Sequence, residues 1–188
     1  MTKTQEIFVP ENSTKTLQSW DGAIVVHVSA HASLIITERF ETPVSKTTRV
    51  TVRLEGEGSS VVDTSRYQGF KNAVLDMERV IIHAAPHTVS HVDVRGIAHD
   101  AARVMWRGRV LVEKSAKNAR AFLQHDAMLT GKETLIDAAP FLEIYTDNAL
   151  CKHSASVRRV QPADIFYIKS RGISEENARA MIREGFLA

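Results

Sequence analysis

Cys151 and His153 stand two residues apart in the segment LCKHS, and they are the pair in this sequence best spaced to reach one soft metal centre. On a strand, positions i and i+2 share a face, so a thiolate and an imidazole would point the same way. A lone cysteine also reads as a small buried apolar side chain, and spacing alone leaves both readings open. Because the 188 residues contain a single Cys, one chain can form neither an internal disulfide nor an all-Cys cage, and any metal needs mixed ligands. His83, His87 and His91 are spaced by four, as a helical metal face would be, but Pro86 interrupts them and HTVSHVDV reads as strand. His27 and His31 are also four apart, inside an alternating run where they would not share a helical face. No Gly-x-Ser-x-Gly element marks a nucleophile, Gly56-x-Gly58 lacks the further glycine and following helix of a dinucleotide loop, and no Walker motif appears. No catalytic residue emerges.

The elements that must position Cys151 and His153 are mostly strands. Ile24, Val26 and Val28 alternate with polar residues, as do Leu34 with Ile36 and then Val50, Val52 and Leu54. Short apolar pieces continue through Val74 to Ile82, Val92 to Val94, Val104 to Trp106 and Val110 to Val112, with Gly56, Gly58, Gly69, Gly96 and Gly108 read as separators. This pattern predicts an all-β body but does not distinguish sandwich, barrel and solenoid, and the pattern alone favours a sandwich. Two helices follow. Pro162 suits a first helical position, Asp164 the first turn, Lys169 and Arg171 the last, and Gly172 a left-handed stop. Ser174 then caps a second helix, on which Ala178, Met181, Ile182 and Gly185 form an apolar stripe that either packs on the body or docks a partner. The expected division is a β core over residues 1–158 and a helical segment over 159–188.

Composition sets the surroundings. The 24 Lys plus Arg and 22 Asp plus Glu are interspersed, so no electrostatic footprint for nucleic acid or an anionic membrane appears. The first residues lack the apolar run of a secretory signal, and no stretch approaches the roughly 20 apolar residues of a membrane span. A soluble, cytoplasmic protein is expected.

The order Pro140, Leu142-Glu143-Ile144, Asp147, Cys151-Lys152-His153, Ile165-Phe166-Tyr167, Ser170-Arg171-Gly172-Ile173 and Gly185-Phe186 resembles the C-terminal half of the SufB/SufD family of iron–sulfur cluster assembly proteins. Asp100-Ala101-Ala102-Arg103, Gly108, Ala116 and Gln124 extend the resemblance to about the last hundred residues, while residues 1 to 90 match only as generic strands. The resemblance implies a right-handed parallel β-helix whose rungs bury small and aliphatic side chains, with the helices capping one end. It implies a scaffold rather than an enzyme, acting with a SufC-like ATPase and either a SufB-like chain or a second copy of itself.

Particular residues take implied roles from that resemblance. A Cys-x-His element in SufD-type chains makes His153, ahead of Cys151, a candidate cluster ligand at a partner interface, with Glu143 beside them. SufB-type chains carry a reactive cysteine where this sequence has Thr134, so the chain looks SufD-like. Lys152-His153-Ser154 replaces the family's usual Ser-His-Gly and changes the local backbone requirement. The positions matching the ATPase-docking segment are Phe166, Tyr167, Ser170, Arg171, Gly172, Ile173, Ile182 and Phe186. One thiol cannot complete a four-ligand site, so a transient cluster would draw ligands from a second chain. The alternative is a homodimeric β-solenoid interaction module with no cluster role.

Overall fold

The computed structural model describes residues 4–20 and 22–188. In chain order its strands are β1 (Gln5–Val9), β2 (Thr14–Leu17), β3 (Gly22–Val28), β4 (Ser33–Ile36), β5 (Arg39–Thr42), β6 (Lys46–Leu54) and β7 (Ser60–Asp63). There follow β8 (Arg66–Gly69), β9 (Val74–His83), β10 (Val89–Ala98), β11 (Arg103–Val112), β12 (Ala119–Leu129), β13 (Leu135–Ile144) and β14 (Ala149–Arg159). Helices α1 (Pro162–Lys169) and α2 (Glu175–Leu187) complete the described residues. One sheet runs β1-β3-β6-β9-β11-β13 and the other β14-β12-β10-β7-β4-β2, with β5 beside β8 and β8 beside β10. Every pairing is parallel, and the whole is a β-solenoid of about 5 turns.

Stacking follows directly from alternation. Val26, Val52, Ile81, Val110 and Leu142 occupy one inward column, each in register with the next. On the facing sheet Leu34, Val61, Ser90, Ala121 and Cys151 form another. The chain turns from the first sheet to the second at left-handed residues, Asn12, His31, Gly58, His87 and Asn118, with φ between 54° and 66°. Each of the five donates its amide to a carbonyl of the next rung, as His31 N–H does to Glu57 at 2.9 Å and His87 N–H to Lys117 at 2.8 Å. Asn and His tolerate this conformation better than branched residues, which accounts for two of the four-spaced histidines without any metal.

The structure corrects the reading of two glycines. Gly96 and Gly108 lie inside β10 and β11 and separate nothing. A Cβ at Gly96 would sit 1.9 Å from the Tyr67 ring, and one at Gly108 would sit 2.2 Å from the Trp106 ring. Their missing side chains are the space these buried aromatic rings fill.

The lumen is also more polar than the expected aliphatic packing. Arg79, on β9, is 2% exposed and donates to Glu38 at 2.8 Å and to Asp63 at 3.1 Å. Lys46 reaches the other oxygen of Glu38 at 3.2 Å, and the Arg79 guanidinium lies over the Trp20 ring. Further along, His83 meets Thr88 and Ser90 at 2.8 Å each. His125 meets the Tyr67 hydroxyl at 3.0 Å and stacks on Trp106.

Pro162, Ser174 and Gly172 do what their positions predict. Pro162 opens α1, the Ser174 hydroxyl accepts the Asn177 amide, and Gly172 has φ 85°. The buried line of α2 is Ala178, Ile182 and Phe186 rather than the stripe through Met181, which is 51% exposed. Among the described residues no helix is long and apolar enough to cross a membrane.

Candidate functional site

Cys151 and His153 sit on β14, the last strand of its sheet, which pairs with β12 alone. Cys151 continues the inward column over Ala121, and His153 continues the one formed by Ile36, Asp63, Val92 and Leu123. Both therefore face the axis of the solenoid. In interior rungs that direction means burial, but no described rung stacks above β14. Cys151 is half-buried against the core, and His153 is exposed. Both side chains thus take the inward placement of core residues rather than the outward one expected for a ligand role, and His153 is exposed because no described rung covers β14.

Burial raises the Cys151 thiol above its usual range, with a smaller opposing effect from the Ala121 backbone. The thiol is protonated at neutral pH, and a metal or a partner's base must displace its proton before it can act as a ligand. On the inward face of the end rung Ile144 is 44% and Val157 43% exposed, whereas Leu150 and Phe141, in register with exposed Arg120 and Arg109, project from the outer faces.

Glu143 is not part of this group. Its neighbour Leu142 faces inward, so Glu143 projects from the outer face of the other sheet, where it pairs with Arg109 at 3.4 Å. Among the described residues no three His, Cys, Asp or Glu side chains gather closely enough to hold a metal ion. Thr134, where a reactive cysteine would stand, is nearly buried and its hydroxyl donates to the Gly131 carbonyl at 2.9 Å.

The remaining candidates divide between the helices. Phe166 is 75% and Tyr167 61% exposed, and Arg171 lies over the Tyr167 ring while donating to its hydroxyl at 3.2 Å. Ser170 donates to the Tyr167 carbonyl, Gly172 makes the turn, and Ile173 is half-buried beside it. Phe166 and Tyr167 on α1 and Arg171 just beyond it thus present exposed aromatic and cationic side chains. Ile182 and Phe186 lie elsewhere: Phe186 is packed with Ile97 and Met128 of the body, and Ile182 against that cluster.

Sequence reading missed the arginines under α2. Arg39, Arg66 and Arg95 occupy the same register position on β5, β8 and β10. Contacts between rungs recur 27 to 31 residues apart, and scanning for like residues at that separation would have found them.

The described residues form a parallel solenoid whose last rung carries a thiol and an imidazole on its inward face. The chain belongs to the SufBD family: residues 6–186 match SUF system FeS cluster assembly, SufBD core domain. That match takes in most of the first ninety residues, which the sequence had tied to the family only as generic strands. An iron-sulfur cluster assembly SufBD family protein of Staphylococcus saprophyticus is 37% identical over 134 residues, which is 71% of this chain and 29% of the relative. Relatives described in the same words from Staphylococcus epidermidis and Staphylococcus haemolyticus are each 36% identical over the same share. The matched segment spans less than a third of the length of these relatives.

Proposed function

We propose that this chain is a SufD-like scaffold subunit for iron–sulfur cluster assembly, working with a SufC-like ATPase and with a SufB-like chain or a second copy of itself. The observation that carries this reading is the last described rung, where Cys151, half-buried, and His153, exposed, face the solenoid axis beside an apolar rim of Ile144 and Val157. A covering chain would bury that rim and add the ligands that one thiol and one imidazole lack, while the nascent cluster is cargo held between the two. His153 and Cys151 are the ligands offered from this side. Anaerobic reconstitution with iron and sulfide in the presence of the partner chain tests it. His153→Ala and Cys151→Ser are expected to lower the yield of the visible chromophore at least about fivefold, since losing even an outer-shell partner of a ligand weakens metal affinity by about 10- to 100-fold. Equal chromophore yield in both variants and the wild type would leave the interaction-module reading in its place.

ATPase docking falls to the α1 face. Aromatic and Arg side chains are the usual anchors of an interface, and here Arg171 is already stacked on Tyr167, which reduces the ordering cost of binding. Phe166→Ala and Arg171→Ala should each weaken binding of the cognate ATPase by more than about 1 kcal/mol. Both side chains are exposed, so circular dichroism and melting temperature should stay close to wild type. Titration calorimetry reads the affinity, and wild-type binding by both variants moves the docking surface away from α1.

A further inference from the structure

We propose that α2 is a releasable strap, held on the outer face of the solenoid by an arginine ladder that grips its C-terminal carbonyls. A helix ends in unpaired carbonyls bearing partial negative charge, and many helices answer this with a basic residue in the last turn. The last turn of α2 contains none. The body supplies the cations instead: Arg66 Nε donates to the Leu187 carbonyl at 3.1 Å, Arg39 to the same oxygen at 3.5 Å, and Arg95 to the Phe186 carbonyl at 3.4 Å. Arg66 also reaches the Ala188 carbonyl at 3.4 Å. Arg66 is nearly buried, and Asp93 holds it at 2.9 Å and Arg95 at 3.3 Å, so the ladder is fixed from beneath by the sheet.

The rest of the attachment is slight. Phe186 packs with Ile97 and Met128 in a cluster separate from the main core, with Ile182 and Leu187 at its edge. The principal packing of α1 is on α2, and Gly172, with φ 85°, joins the two helices in an exposed turn. With buried Ala178, the Phe186 anchor under Arg158 and a few hydrogen bonds to the arginines as its attachment, α2 lies at the low end of the local stabilities within a fold. Once lifted, a helix of 13 residues is marginal in water and loses its amide protection. Opening uncovers Ile97 and Met128, now 0% and 1% exposed, beside three guanidinium groups. This inference stands apart from the docking of an ATPase on α1.

Native-state hydrogen exchange on the intact protein, read by mass spectrometry in low denaturant, tests it. The expected result is that α2 peptides exchange at least about tenfold faster than those of β10 and β12, with little dependence on denaturant, as local openings do. Arg66→Gln should speed α2 by about tenfold again and leave β10 and β12 unchanged. If α2 exchanges in step with β10 and β12, the strap is part of one cooperative unit and the proposal fails; the wild-type comparison decides this even if the variant does not fold.

Discussion

Arg79→Met is expected to cost about 3 to 5 kcal/mol, the range for breaking a buried ion pair from one side. Arg79 leaves β9 on one sheet and crosses the lumen to Asp63 on the other, while its second branch reaches Glu38. Both carboxylates are at most 1% exposed. Removing the guanidinium leaves two buried carboxyl groups facing a methionine, with Lys46 on only one of them. The companion variant Arg79→Met/Glu38→Gln/Asp63→Asn removes the orphaned charges and should recover more than half of the loss. Urea denaturation followed through tryptophan fluorescence measures both, since Trp20 lies over Arg79. A loss under about 1 kcal/mol, or a triple variant no better than the single one, would show that the network does not hold the two sheets together.

Acid should weaken the fold well before the carboxylates titrate. Burial pushes the imidazoles of His83 and His125 down to about 4, against an ordinary value near 6.5. Above about pH 6.5 both histidines are neutral in folded and unfolded chains, and their effect on stability does not vary. Between 6.5 and 4 the unfolded chain binds protons that the folded chain refuses, so stability falls as pH drops. Each group contributes on the order of 3 kcal/mol across that window. Denaturation midpoints from pH 7.5 to 4.5 should show the decline, and His125→Phe, which keeps a flat ring on Trp106, should reduce its slope. A variant whose stability falls as steeply as that of the wild type would overturn the assignment to His125.

These two sites also mark where the sequence stopped being legible. Alternation in Ile24 to Val28 or Val50 to Leu54 reveals an inward face but is the same for parallel and antiparallel neighbours, so the choice of a solenoid came from the family resemblance. Helix ends were readable because Pro162, Ser174 and Gly172 act through local backbone requirements. The Arg79 network was not, because Glu38 lies 41 residues away and Asp63 16. No local pattern announces such partners, and rungs of unequal length hide the repeat that would align them. The site was half legible: two-residue spacing placed Cys151 and His153 on one face, but their exposure depends on their rung being the last. Glu143 seemed a neighbour in sequence, yet it belongs to the other sheet and to its outer side.

Pro140 gives the open rung a direction. The Leu135 and Tyr145 amides donate back to Ala102 and Val112, so along β13 the odd-numbered N–H groups face β11 and the even-numbered ones face away. Pro140 falls in the second set, and its missing hydrogen is on the free edge. The ladder to β11 is intact, whereas any strand laid along the outside of β13 meets a gap halfway. Like-on-like growth by adding rung after rung is therefore interrupted on this sheet, which guards a bare strand edge against fibre formation. The edge of β14, which carries Cys151 and His153, contains no proline and has no such gap.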